Sequence, residues 1–276
     1  MIKKRVLAGS LVLTLSIAAI LGSTCAFAQD ETEAALTKDD LGIVYVGIDG
    51  AYPPYCYLND DDEVDGFEVA VMNEIAEREG ITIECQITSW NSMFGQLDSG
   101  RIDTVAENIT ITEERLETYN FSKSYITGSN AFIVRGGEED SIQTDEDLAG
   151  KKIGVASSGN AYDKLIQIQE EKGIEFEIVP YDSSTNAYDV SIGRIDASFM
   201  NPVAGIALSD ASSLGLAVAD WEDPAPDLSG YVFVKDSERA ELLRSLFDDA
   251  LTQMDEDGTL ADLSVEYLGV DISHVE

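Results

Sequence analysis

Residues 102–115 read I-D-T-V-A-E-N-I-T-I-T-E-E-R, and the fold turns on them. Ile102 to Ala106 has the apolar, β-branched character of a buried strand. Thr112-Glu113-Glu114 starts a helix: a hydroxyl N-cap, then acidic residues in the first turn, where the helix dipole favours negative charge. A strand that runs so directly into a helix belongs to a parallel sheet, and in open parallel sheets ligands bind beyond the carboxyl ends of the strands. Glu107 to Thr110 falls at that end. Arg115 follows in the first turn, against the dipole, and two uses fit it equally. It clamps a carboxylate through two parallel hydrogen bonds, or it pairs at the surface with Glu113 or Glu114.

Working upstream, Gly42 to Asp49 reads as a strand, Ala51 to Tyr57 as an aromatic-proline loop and Asn59 to Asp65 as a turn. Phe67 to Glu79 shows helical spacing in Phe67, Val71, Ile75 and Ala76; Ile81 to Thr88 is a strand. Trp90 to Ser99 is a helix with Met93, Phe94 and Leu97 on one side, ended by Gly100. Downstream the grammar recurs: strand Ile153 to Ala156, helix from Ala161 to Lys172, strand Glu175 to Pro180, helix Thr185 to Ile192, and a strand leading from Arg194 to Met200. The tetrapeptide G-R-I-D occurs at 100–103 and at 193–196, each time between a helix and a strand. The expected architecture is therefore α/β, two parallel-rich sheets, closed by a tail of two helices, Ser237 to Glu256 and Leu260 to Tyr267.

The N-terminus has a basic n-region (Met1 to Arg5), an uncharged apolar run (Val6 to Gly22) and Ala26-Phe27-Ala28, the pattern of a signal peptide cut after Ala28. A lipid anchor on Cys25 is the rival processing, disfavoured by Thr24 before it. Residues 29–40 read as a disordered leader. Removing residues 1–28 takes away three basic residues, so the formal charge goes from −36 to −39. Such a charge argues against nucleic acid as a partner. The pairing of Cys56 and Cys85 stays open. With no CxxC, a single histidine (His274) and no nucleophile elbow, the sequence offers neither a metal site nor histidine acid/base catalysis, and no cofactor is expected.

The polar residues at strand ends are the candidate site. Asp49, Tyr52 and Tyr55 follow the first strand, Trp90 the second, and Glu107, Asn108, Thr110 and Arg115 the third; Ser158, Gly159, Asn160 and Asn201 occupy the matching places further on. Aromatic, hydroxyl and amide groups with one guanidinium suit a small zwitterion and not a phosphate, which calls for a Gly-Lys loop. Trp90 and Tyr52 serve equally as packing aromatics, and Ser158-Gly159-Asn160 as an ordinary capped turn or as carboxylate donors at a helix start.

These residues stand within motifs that resemble a known family. V-G-I-D-G-A-Y-P-P-Y with D-G-F-E-V, then W-N-S-M-F-G-Q-L-D-S-G-R-I-D-T-V-A-E-N-I-T-I-T-E-E-R, D-L-A-G-K-K-I-G-V, G-R-I-D-A-S-F-M-N and D-G-T-L-A-D-L-S-V-E-Y-L-G-V-D are similar to the family 3 extracellular solute-binding proteins of polar amino-acid ABC transporters, most of all the cystine-binding subgroup. The resemblance runs from Leu41 to Ser273 and implies a two-lobed periplasmic-binding-protein-like fold of the class II type, its sheets joined by two crossing hinge strands. It implies lobe 1 from 41–126 plus 230–276 and lobe 2 from 127–229, a monomer that captures an amino acid and delivers it to a membrane permease. It implies that Asp49 and Tyr52 line one wall, Trp90 stacks on the ligand, Asn108 and Thr110 hydrogen-bond it, and Arg115 with Ser158 to Asn160 takes its carboxylate. Where the family usually has an Asp for the α-ammonium, this chain has Asn201. Glu107 is then expected to supply the missing charge, to select a cationic group, or to face solvent at the rim. The rival functions are a cyclohexadienyl dehydratase-like enzyme on the same scaffold and a sensor without a transporter.

Overall fold

Two sheets are built on the same plan. The computed structural model describes residues 35–182 and 185–275; the expected signal peptide at 1–28, with Cys25, lies outside them. Strand β1 (Ile43–Ile48) leads into a small antiparallel sheet of β2 (Ala51–Tyr52), β3 (Cys56–Leu58) and β4 (Val64–Asp65). Helix α1 (Phe67–Glu79), β5 (Thr82–Ile87), helix α2 (Trp90–Asp98) and β6 (Thr104–Val105) complete a parallel sheet of order β5-β1-β6. After helix α3 (Glu113–Thr118), strands β7 (Tyr119–Phe121) and β8 (Ile126–Gly128) carry the chain to the second sheet. That sheet contains β9 (Ala131–Arg135), β10 (Lys152–Ala156), helix α4 (Asn160–Lys172), β11 (Glu177–Tyr181), helix α5 (Thr185–Ser191), β12 (Ala197–Met200), helix α6 (Pro202–Ser212) and β13 (Leu216–Val218). Its order is β11-β10-β12-β9-β13, with β10 parallel to its neighbours and β9 antiparallel to both of its own. The chain returns through β14 (Asp227–Ser229), paired with β8, and β15 (Val232–Val234), paired with β7. Helices α7 (Glu238–Asp257) and α8 (Thr259–Leu268) then pack on α1.

The repeated G-R-I-D explains why both sheets look alike. Gly100 and Gly193 take left-handed φ of 68° and 71°, ending a helix. Ile102 and Ile195 are buried, each with its Cδ1 over a glycine of the central strand, Gly47 or Gly154, where a β-carbon would approach to 2.6 or 2.5 Å. Asp103 accepts the Tyr45 amide at 2.9 Å and Asp196 the Lys152 amide at 2.7 Å, each fixing the start of the central strand. The tetrapeptide thus sets strand register twice.

Each sheet has its own core. One joins β1 and α1 to α7 and α8, through residues such as Val46, Phe67, Ile75, Leu243 and Phe247; the other gathers Phe132, Ile153, Leu165, Phe199 and Trp221. Buried residues of α7 (Leu243, Leu246, Phe247, Ala250, Leu251, Met254) follow the i, i+3, i+4, i+7 spacing of one helical face. Residues 36–40 correct the expected leader. Lys38–Asp40 forms a 3-10 turn with a Thr37/Asp40 capping box, Leu36 packs on the first core, and Lys38 pairs with Glu79 of α1. Apolar burial and a cap outweigh the acidic, loop-like composition there.

Gly66, in the D-G-F-E-V motif, starts α1 with φ of 115°. A β-carbon on it would come within 2.5 Å of the Tyr55 carbonyl oxygen and 2.8 Å of that of Pro54, both backbone atoms that accept from Glu68 and Phe67. Gly66→Ala is expected to cost about 3 kcal/mol or more, measured by urea unfolding, because strain and a backbone clash coincide.

Candidate functional site

Because the central strands of both sheets end at the same cleft, the residues after them converge. A cavity of about 410 Å³ is lined by Asp49, Tyr52, Trp90, Glu107, Asn108, Thr110 and Arg115 from the first sheet and by Ser158, Gly159, Asn160 and Asn201 from the second. Every strand-end residue singled out in the sequence except Tyr55 lines this one space. It also contains residues the sequence did not mark, among them Asn130, Asp182, Asn186, Asp227 and Ser229. Tyr55 is the exception among the strand-end aromatics: it is fully buried beneath Tyr52, the rings stacked at 5.0 Å.

Arg115 resolves its two uses. Its backbone N–H is capped by Thr112 Oγ1 at 3.2 Å, as the sequence leads one to expect. Its guanidinium donates from one nitrogen to the Thr110 carbonyl at 2.7 Å and lies 5.6 Å from the Phe94 ring centre. Phe94 is itself braced edge-on by Trp90. Among the described residues no carboxylate comes within ion-pair distance of Arg115, whereas Arg78, Arg135, Arg194, Arg239 and Arg244 each have one. Surface pairing with Glu113 or Glu114 is therefore not its role. Burial lowers its pKa, but the nearby charges of Asp163, Glu114 and Asp227 oppose that, and it stays a cation.

Opposite stands the start of α4. Gly159 is its N-cap at φ of 104°, and the first amides of a helix have no partner within it. Trp90 Cζ2 lies 3.6 Å from the point a β-carbon on Gly159 would take, ordinary contact distance, so the indole and the start of α4 face each other closely across the cleft. Asp49 shapes the other end: its carboxylate takes the Trp90 backbone N–H, and burial raises its pKa.

Two expectations are corrected. Glu107 is only 6% exposed; one oxygen accepts both the Asp49 amide and the Cys56 thiol, each at 2.9 Å. Burial is the main cause that pushes its pKa up to about 8, with Glu68 and Asp49 adding to it. At neutral pH it is mostly a neutral acid in the wall, neither at a solvent rim nor a source of full negative charge. Asn201 lines the cavity, but both ends of its amide are committed. Oδ1 accepts the Ala204 amide at 3.1 Å, capping α6, and Nδ2 donates to the Tyr55 hydroxyl at 3.0 Å, bridging the two sheets. The open question of the cysteines also closes: Cys56 and Cys85 are both free thiols, and burial raises the pKa of each.

A carboxylate that the sequence did not reveal organises the hinge. Glu68 is fully buried and accepts the Asn108 amide at 2.7 Å, the Tyr125 hydroxyl at 2.5 Å and the Tyr231 hydroxyl at 3.3 Å. Tyr125 precedes β8 and Tyr231 follows β14, their rings stacked 4.4 Å apart. Burial raises the Glu68 pKa to about 7 against these three donors. In sequence Glu68 reads as an ordinary acidic first-turn residue; only the tyrosines' arrival from distant strands marks it.

Over residues 44–270 the chain matches the family model for bacterial extracellular solute-binding proteins, family 3. The chain belongs to that family. This solute-binding protein is 33% identical over 265 residues to the L-cystine-binding protein TcyJ of Escherichia coli K12, covering 96% of each chain. It is 31% identical over 281 residues to the L-cystine-binding protein TcyA of Bacillus subtilis 168, covering 98% of this chain and 99% of the relative. Among solved structures, an ancestral arginine-binding protein bound to glutamine superposes with a TM-score of 0.71 at 26% identity, over 83% of this chain and 98% of the other. The two-lobed periplasmic-binding-protein-like fold, and a receptor's role in amino-acid ABC transport, follow from these relationships.

Proposed function

We propose that this receptor captures a polar α-amino acid, L-cystine first among the candidates, between lobe 1 (41–126 plus 230–276) and lobe 2 (127–229). The observation that carries the reading is Arg115, a half-buried guanidinium with no carboxylate at ion-pair distance among the described residues, set in the same cavity as the first amides of α4. A ligand carboxylate satisfies both at once. Trp90 offers its face to the rest of the ligand, and contacts from both lobes give the closed form the differential affinity that closure requires. The cystine assignment draws on the two relatives named above. The chain acts outside the cytoplasm as a monomer after cleavage behind Ala28, hands its ligand to a membrane permease, carries out no chemistry on it and binds no nucleic acid.

A thermal-shift screen against the twenty standard amino acids and L-cystine tests this. At a hundredfold excess over Kd a ligand adds about 2.7 kcal/mol, which for a chain of this size raises Tm by roughly 5–10 °C. L-Cystine is expected to give such a shift. A flat response to every compound refutes an amino-acid ligand.

A further inference from the structure

The hinge ribbon carries an oxygen-lined recess. In the β8–β14 pair Gly128 lies opposite Asp227, and Ile126 opposite Ser229. Opposite residues of an antiparallel pair project to the same face, so Asp227 and Ser229 share the face on which Gly128 has no side chain. A β-carbon on Gly128 would lie 3.6 Å from the Asp227 backbone oxygen, 3.9 Å from Asn108 Oδ1 and 3.9 Å from Ser229 Oγ. Gly128 does not have a left-handed φ. Its lack of a side chain therefore provides space, not backbone freedom.

Two observations say what belongs in that space. Asn108 Oδ1 is buried and has no hydrogen-bond donor among the described residues, while the amide's other end faces the Tyr52 hydroxyl. An orphaned acceptor of this kind is unfavourable until a donor reaches it. The second is charge. Lys164 is shared between Asp223 at 2.8 Å and Asp227 at 2.9 Å, so a single ammonium serves two carboxylates in a partly desolvated cluster. Asn160 adds a hydrogen bond to the same Asp227 oxygen at 2.6 Å. The Lys164–Asp223–Asp227 cluster at the hinge thus has one negative charge in excess, while Arg115 on the same cavity is a cation with no carboxylate at ion-pair distance among the described residues, the pattern a zwitterionic head group completes.

We propose that the hinge ribbon is the ammonium subsite: the ligand's α-ammonium sits over Gly128 and donates to Asn108 Oδ1 and Ser229 Oγ, with Asp227 as its counter-charge, while Arg115 holds the carboxylate. The inference rests on the amino-acid reading above. It accounts for an asparagine at 201 being free to cap α6 and bridge to Tyr55, because the charge has moved to the hinge.

The test is calorimetry on the wild-type chain, Gly128→Ala and Asp227→Asn, with L-cystine and its des-amino counterpart 3,3′-dithiodipropionate. If the thermal-shift screen selects another amino acid, that compound and its des-amino counterpart replace the pair. A β-carbon at 128 meets only ordinary contacts of 3.6–3.9 Å, so Gly128→Ala should keep the wild-type Tm in buffer. Both variants should weaken the amino acid by about 30-fold or more and leave the des-amino compound within about twofold of its wild-type affinity. Retained amino-acid affinity in Gly128→Ala, or equal losses for both compounds, overturns the subsite while leaving the amino-acid reading intact. A wild-type chain that binds no amino acid overturns both.

Discussion

Replacing Arg115 with alanine is expected to weaken amino-acid binding by about 100-fold, seen as loss of the ligand-induced rise in Tm and as a matching change in Kd by calorimetry. The magnitude follows from what the guanidinium would lose. Two charge-assisted hydrogen bonds to a carboxylate are worth more than neutral ones, and in a half-buried cavity water replaces them poorly. Folding should suffer little, because among the described residues the Arg115 side chain makes one hydrogen bond, to the Thr110 carbonyl, and a contact with Phe94. Arg115→Lys should recover part of the affinity, since an ammonium supplies charge without the planar fork. Arg101→Ala is the control: Arg101 is exposed and lies away from the cavity lining, so its loss should leave Kd unchanged. Wild-type affinity in Arg115→Ala would remove the central contact of the proposed function.

The second large effect is on stability against pH. Burial raises Glu68 to about 7 and Glu107 to about 8, both from an ordinary value of 4.5. The folded protein therefore holds protons that the unfolded chain has released, and stability is lost as pH rises through this interval. Each group contributes a slope of about 1.4 kcal/mol per pH unit, beginning near 4.5 and ending near 7 for Glu68 and near 8 for Glu107. At the acid end the sign reverses. Asp257 is held at about 2 by Thr259 and Arg78, so its contribution, present above its unfolded value, is lost as pH falls toward 2. Unfolding free energy should thus peak near pH 4 and fall steeply from pH 5 toward pH 8, and Glu107→Gln should flatten the upper part of the slope. A profile that is level between pH 5 and 8 in the wild type contradicts this account of the buried pair.

How far the sequence reaches depends on whether a residue acts through local pattern or through distant encounter. The strands, the helices and the common cleft were legible because hydrophobic period, glycine stops and G-R-I-D are local signals, and because parallel strands point their carboxyl ends the same way. That is why residues as far apart as Asp49 and Asn201 group together in the sequence alone. Glu68, Asp227 and Ser229 were not legible. Strands β8 and β14 have three residues each, too short to show alternation, and they meet across about a hundred residues of chain. Asn201 was visible as a departure but its meaning was not, since the Tyr55 hydroxyl that engages it belongs to the other sheet. The supposed charge at Glu107 failed for a related reason: composition gives no warning that Cys56 and the Asp49 amide will close over a carboxyl group.

The bond between Asn201 and Tyr55 has a consequence for breadth of recognition. Both partners belong to the protein, so the bond, worth about 1 kcal/mol, is the same whatever occupies the cavity. An aspartate at that place would reward only ligands with a cation in the right position, whereas this contact favours every ligand that the joined lobes can enclose. It acts as a common multiplier of roughly fivefold on all affinities and contributes nothing to the difference between two ligands. Mutational drift at 55 or 201 would therefore retune the receptor to richer or poorer surroundings without altering its menu.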